Sequence, residues 1–205
     1  MSTQIQRYTA KERSNHWVVA IAFVLAGLSG LALFHPAFFF LTNLFGGGPW
    51  TRILHPFIGA LMFLFFIVLA ARFWRYNHVT SADRQWMKHI NDELCNRDQN
   101  LPEQGKFNAG QKYLFWTVVV CIPLLLLSGI VVWQPWFAPF FPLVLLRVAV
   151  VVHALVAWIM ILAIIVHVYA AIWVKGSVRA MTRGTVSEAW AKHHHRAWYR
   201  EMTGK

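Results

Sequence analysis

Four histidines, His16, His55, His153 and His167, stand in or beside segments that are otherwise almost free of polar groups. An imidazole at membrane depth is costly and usually functional, as a ligand or a proton carrier. His153 and His167 share the run 148–174, which holds no charged residue. Fourteen residues of α-helix rise about 21 Å and fall about 40° short of four complete turns. The two rings therefore leave one face of a helix at very different heights. A plainer reading is open to each of them, as a core histidine bonded to a neighbouring helix. Zinc would ask for four converging ligands, commonly including thiolate or carboxylate, and no Asp, Glu or suitably placed Cys lies in the apolar segments. Two imidazoles on opposite faces of a planar macrocycle are the simpler fit, which means bis-histidine haem b. No Cys-x-x-Cys-His occurs, so such a haem would be held non-covalently. With both axial positions filled, the iron is left with electron transfer.

The elements that must hold these histidines are four apolar segments, at about 16–34, 53–71, 113–133 and 148–174. Each is long enough for the roughly 20 helical residues that cross a bilayer. The 205-residue chain is 58% hydrophobic and 13% charged, against about 25% charged for soluble domains. The expected fold is all-α: an integral membrane four-helix bundle forming a single domain over 1–205, with short interfacial helices outside the spans. Ser14 and Asn15 are good N-caps for the first helix, and Pro49 in the 46–50 Gly-Gly-Gly-Pro-Trp turn suits the start of the second. Pro56 and Pro123 fall inside helices two and three, where kinks are expected. Trp and Tyr gather near segment ends, as aromatic belts do.

Basic residues fix the topology. Three precede the first segment, seven lie in 72–112 and seven follow the fourth, whereas the other two loops hold Arg52 and Arg147 alone. Both termini and the long central loop are therefore expected in the cytoplasm. A net charge of +11 spread over membrane loops in this way argues against a nucleic-acid partner. Height then sorts the histidines into two pairs: His55 with His153 near the outer face, and His16 with His167 near the cytoplasmic face. Gly27, Gly30, Gly59 and Gly129 suit either the close approach of a flat ring or helix–helix packing. Arg52 and Arg147 are expected to meet the propionates of the outer haem.

Other features carry less. Cys95 and Cys121 sit in different environments and suggest no disulfide. The segment from Ser81 reads as a short surface helix capped by Ser81. His193, His194 and His195 read as a solvated basic face rather than a metal site, and no internal repeat is apparent. Asn108, Gly110 and Gln111 read, on the residues alone, as an ordinary turn and helix start.

In its motifs the chain closely resembles the gamma, or cytochrome b, subunits of membrane-bound respiratory formate dehydrogenases. The ordered set is Arg-x-Asn-His-Trp around His16, RILHPF around His55, GKFNAGQK at 105–112, SGIVVWQPWFAPFFP at 128–142, the two histidines of the fourth segment, WVKGS at 173–177 and AWAKHHHRAWYRE at 189–201. The resemblance implies two haem b groups on the same two histidine pairs. It also implies a menaquinone or ubiquinone site on the cytoplasmic side at Asn108, Gly110 and Gln111, with His167 nearby. Its implied partners are an iron–sulfur beta subunit and a molybdenum or tungsten alpha subunit outside the inner (cytoplasmic) membrane, assembled as a trimer of heterotrimers with lipid between protomers. The implied activity is formate:quinone oxidoreduction, with formate oxidised on a partner subunit. Rival readings are the cytochrome b of a membrane-bound hydrogenase or thiosulfate reductase, and a non-redox anchor or carrier.

Overall fold

A computed structural model describes residues 3–95, 97 and 101–204. Strand β1 (Gln4–Gln6) leads into α1 (Ala10–Phe34), and a 3-10 segment, Pro36–Phe45, connects to α2 (Gly48–Phe73). The polar middle of the chain carries α3 (Ser81–Lys88) and α4 (Ile90–Leu94); residues 96 and 98–100 of the central loop lie outside the described residues. Helices α5 (Ala109–Val132) and α6 (Leu143–Trp173) follow, then α7 (Ser177–Arg183), β2 (Thr185–Ser187), α8 (Glu188–His194) and α9 (Arg196–Thr203). The protein is an all-α membrane helical bundle in which α1, α2, α5 and α6 are long and apolar enough to cross a bilayer.

Helix ends follow side-chain chemistry, and two differ from expectation. The chain turns into α1 at Thr9, not at Ser14 or Asn15. Thr9 N–H donates to Glu12 Oε2 at 2.7 Å while Glu12 N–H donates to Thr9 Oγ1 at 3.3 Å, a reciprocal capping box. Asn15 is consequently buried inside the helix, where Nδ2 donates to Phe65 O at 2.9 Å. Helix α3 is capped by Thr80, one residue before Ser81, in a second box with Asp83. At the 46–50 turn, Gly46 and Gly47 adopt φ of 86° and 96°, which side chains disfavour, and Pro49 stands in the first turn of α2. Helices α2 and α5 continue through Pro56 and Pro123.

The chain divides into two compact units. The apolar unit comprises Ser14–Ala70 and Val118–Val166. Within it, ring contacts join Phe34 of α1 to Trp158 of α6, and Phe57 of α2 to Trp133 beside the end of α5, at 6.0 and 5.1 Å between centroids. Its interior holds Met62, Phe66, Ile122, Val156 and Met160, while Leu64, Leu127, Leu155 and Val166 are among many large apolar side chains left exposed. Exposure of this kind over four long helices is a lipid-facing surface, since soluble proteins rarely carry such continuous apolar area.

The polar unit comprises Met1–Arg13, Ala71–Thr117 and His167–Lys205. Here β1 pairs antiparallel with β2, Gln4 opposite Ser187 and Gln6 opposite Thr185. Gly184, at φ 88°, lets Arg7 and Tyr8 donate to its carbonyl; a Cβ there would lie 2.7 Å from Tyr8 O and against Arg13. His193, His194 and His195 are expected on a solvated face, yet His195 is 3% exposed. Arg7 Nη2 donates to His195 Nε2 at 3.0 Å and to Lys106 O at 2.7 Å, and His195 Nδ1 donates to Gly105 O at 2.7 Å. The Arg7 guanidinium also lies 4.9 Å from the rings of both Trp190 and Trp198. This correction has a simple cause. Three adjacent histidines look alike in sequence, but His195 ends α8 and meets the N-terminal segment, whereas His193 stays exposed.

Candidate haem-binding site

The apolar unit brings two of the four predicted ligands together. His55 on α2 and His153 on α6 face each other with ring centroids 6.1 Å apart and planes at 75°. Each ring is steadied from an adjacent helix. Ser29 Oγ of α1 lies 2.9 Å from His55 Nδ1, and Ser128 Oγ of α5 lies 3.0 Å from His153 Nδ1. Beside each serine a glycine makes room: a Cβ on Gly30 would come 3.2 Å from His55 Cε1, and one on Gly129 3.3 Å from His153 Cε1. Two of the four predicted glycines are thus accounted for by imidazoles. A Cβ on Gly27 or Gly59 would meet no atom within 4 Å. Among the described residues no group of three His, Cys, Asp or Glu is arranged to hold a metal ion.

His16 is half-buried in α1, edge-on to Trp17 at 5.4 Å between centroids. His167 is half-buried in α6. The first belongs to the apolar unit and the second to the polar unit. Arg52 is exposed one turn before His55 and lines a cavity of about 290 Å³ with Phe57, Trp133 and Gln134. Arg147 is exposed near the start of α6.

In the polar unit, Asn108 caps α5. Its Oδ1 accepts from Gln111 N at 2.9 Å, and Gln111 Oε1 accepts from Asn108 N at 3.0 Å. Gly110 is exposed beside Trp86. Lys112, which follows Gln111, is buried and pairs with Asp83 Oδ2 at 2.8 Å. That lysine and the Thr80 cap hold the Asp83 carboxyl below the usual carboxylate range against the opposing effect of burial.

Residues 7–184 match the family model described as prokaryotic cytochrome b561. The cytochrome b556(fdo) subunit of formate dehydrogenase from Escherichia coli (strain K12) is 44% identical over 198 residues, covering 97% of this chain and 93% of that protein. The nitrate-inducible cytochrome b556(Fdn) subunit of the same organism is 40% identical over 201 residues, covering 98% and 93%. The formate dehydrogenase cytochrome b556 subunit of Haemophilus influenzae is 39% identical over 199 residues, covering 97% and 84%. The chain belongs to the formate dehydrogenase cytochrome b subunits of this family.

A cytochrome b of this family carries haem b and has a redox, electron-transfer role. It is an integral protein of the bacterial inner membrane, the membrane that helical rather than β-barrel spans occupy. His55 and His153 fit the group. Two imidazoles each about 2 Å from a shared metal, the usual metal–imidazole bond, would have ring centroids about 6 Å apart, as these do. With both Nδ1 atoms engaged by serines, the Nε2 atoms are the ones left for iron. Haem bound in this way supplies one-electron transfer.

Sequence reasoning missed Ser29 and Ser128. Their signal was present: in Leu28-Ser29-Gly30 and Leu127-Ser128-Gly129 one tripeptide recurs, with its serine 26 residues before His55 and 25 before His153. Leu, Ser and Gly are ordinary membrane-helix residues, so the repeat is invisible until the rings reveal what it faces. Arg7 and His195 were missed for a different reason, because segments 188 positions apart meet.

Proposed function

We propose that this cytochrome b is the di-haem anchor of a formate dehydrogenase, carrying electrons across the membrane to quinone on the cytoplasmic side. The reading is supported chiefly by the His55–His153 geometry in a chain related over nearly its whole length to formate dehydrogenase cytochromes. His55 and His153 hold the outer haem; His16 and His167 hold the inner one. The asymmetry of Lys and Arg orients both termini and the central loop to the cytoplasm. An iron–sulfur beta subunit on the outer side supplies the electrons, taken from formate by a molybdenum or tungsten alpha subunit. The assembly is a trimer of heterotrimers with lipid between protomers.

Asn108, Gly110 and Gln111, with His167, form the quinone site, for menaquinone or ubiquinone. The capping box uses the oxygens of Asn108 and Gln111. Both side-chain amide groups keep their N–H donors for a quinone carbonyl. Protons for the reduced quinone come from the cytoplasm, so charge is separated. Moving an electron fully towards the negative side costs about 2.3 kcal/mol per 100 mV, which the drop from formate to quinone supplies.

The test is to purify the full chain with its accompanying subunits in mild detergent, count haems and assay quinone reduction. Two haems and a molybdenum- or tungsten-bearing large subunit are expected. His153→Ala loses one haem and quinone reduction. Asn108→Asp keeps the cap oxygen but removes the amide donor, and is expected to keep both haems while quinone reduction fails. Fewer than two haems in the wild type, or haem loss in the Asn108→Asp protein, would refute the assignment. A hydrogen-oxidising or thiosulfate-reducing large subunit would change the donor and leave the rest.

A further inference from the structure

We infer that Ser29 and Ser128 are paired positioning residues that set the tautomer, the orientation and the redox balance of the outer haem's two ligands. The inference rests on the proposed ligation of that haem by His55 and His153. Each serine hydroxyl has one proton to donate. Ser29 Oγ donates it to Leu25 O at 2.8 Å, with Ala26 O further away at 3.1 Å. Ser128 Oγ donates it to Leu124 O at 2.6 Å, with Leu125 O at 3.3 Å. A hydroxyl whose proton is committed to a helix carbonyl faces the imidazole with lone pairs alone. The Nδ1 atoms of His55 and His153, at 2.9 and 3.0 Å, must therefore carry their protons and donate them. That leaves the Nε2 lone pair of each ring for iron, the arrangement in which a ligand's second nitrogen is held by an outer partner.

The site makes alternatives expensive. Ser29 is fully buried and Ser128 is 7% exposed, so no solvent replaces a lost acceptor cheaply. Gly30 and Gly129, each next in sequence to its serine, leave room for Cε1 of the same ring to sit against the helix, where a Cβ would come within 3.2 and 3.3 Å of it. The α1–α2 and α5–α6 helix pairs thus repeat one device, and the two copies hold their rings 75° apart. Donation of Nδ1–H to an acceptor increases the electron density that Nε2 gives the metal and so favours ferric over ferrous iron.

The experiment uses the full-length protein with its accompanying subunits, in Ser29→Ala, Ser128→Ala, Ser29→Thr and Ser128→Thr forms. It reads haem content, the midpoint potential of each haem and the low-spin ferric resonance. In each Ala form the outer haem's midpoint is expected to rise, by about 59 mV for each tenfold loss of ferric preference. Its ferric resonance changes as the ring turns, and the inner haem stays as it was. Outer-haem affinity falls about 10–100-fold. The Thr forms, which keep the hydroxyl, restore the wild-type potential. An unchanged outer potential and resonance in both Ala forms overturns the inference. So does an equal change in Ala and Thr forms, which would mark packing rather than hydrogen bonding. A wild-type protein lacking an outer bis-histidine haem would instead sink the functional reading beneath it.

Discussion

The two units of this chain bury polar groups in opposite ways. In the apolar unit the buried polar side chains are small and neutral; among them Ser29, Thr51 and Ser128 return their hydroxyl protons to carbonyls one helical turn earlier in the chain, and Asn15 donates to Phe65 O. In the polar unit the buried groups include Arg7, Asp83, Lys112 and His195, tied by charge-assisted bonds between segments distant in sequence. The difference follows from the surroundings. Apolar helices hydrogen-bond internally and need no outside partner, so the few polar atoms among them are free to serve an imidazole. Short helices of seven or eight residues, such as α7, α8 and α9, do not hold by propensity. They need an anchor, and Arg7 between two indoles provides it.

Substitutions in each unit test that contrast. The largest effect is expected in the apolar unit, where Gly129→Leu or Gly30→Leu drives a branched side chain into an imidazole ring. The haem proposed to lie between His55 and His153 should be absent from the purified protein while the polar unit keeps its protease resistance; full haem content would contradict the role given to these glycines. In the polar unit Arg7→Met leaves His195 Nε2 buried without its donor and removes the stacking on Trp190 and Trp198. A loss of about 2–4 kcal/mol is expected, read as faster proteolysis of the tail with haem content unchanged.

Acidification probes the same anchor more gently. Burial, then the adjacent Arg7 charge, holds the His195 imidazole well below the ordinary histidine range, with the Gly105 carbonyl opposing and His194 adding slightly. Below the unfolded value of about 6.5 the unfolded chain binds a proton that the folded one refuses. Stability is therefore full above that pH and is lost as pH falls from about 6.5 towards the folded value. Tail proteolysis should quicken between pH 7.5 and 5.5, and the step should vanish in His195→Gln. Asp83, held low by Lys112 and Thr80, would act in a more acidic window, below about 4. The smallest expected change is Thr80→Ala, which removes one capping box for about 1 kcal/mol. Hydrogen exchange at α3 should rise while exchange at α1, capped by Thr9 and Glu12, stays as it was.

How much could be read beforehand varies by element. The four apolar spans were legible, though their helices extend beyond them: Ala10–Phe34 against 16–34, and Gly48–Phe73 against 53–71. Hydropathy marks where lipid begins, and a helix continues past that point until a cap stops it, as Thr9 does for α1. The 3-10 segment Pro36–Phe45 went unread because its apolar run has no α-period that distinguishes it from a loop. The capping role of Asn108 and Gln111 was legible as a turn and helix start, and the structure shows the bonds that make it one.

What the sequence determined alone is order along the chain: four spans, a charge asymmetry, and His153 and His167 on one helix about 21 Å of rise apart. Those are properties of distance along one helix, which residue spacing encodes directly. Lateral relations were decided by tertiary structure alone. Ser29 facing His55, Ser128 facing His153, and Arg7 closing on His195 are contacts between separate segments, and their partners are chosen by how helices pack, not by how residues are spaced.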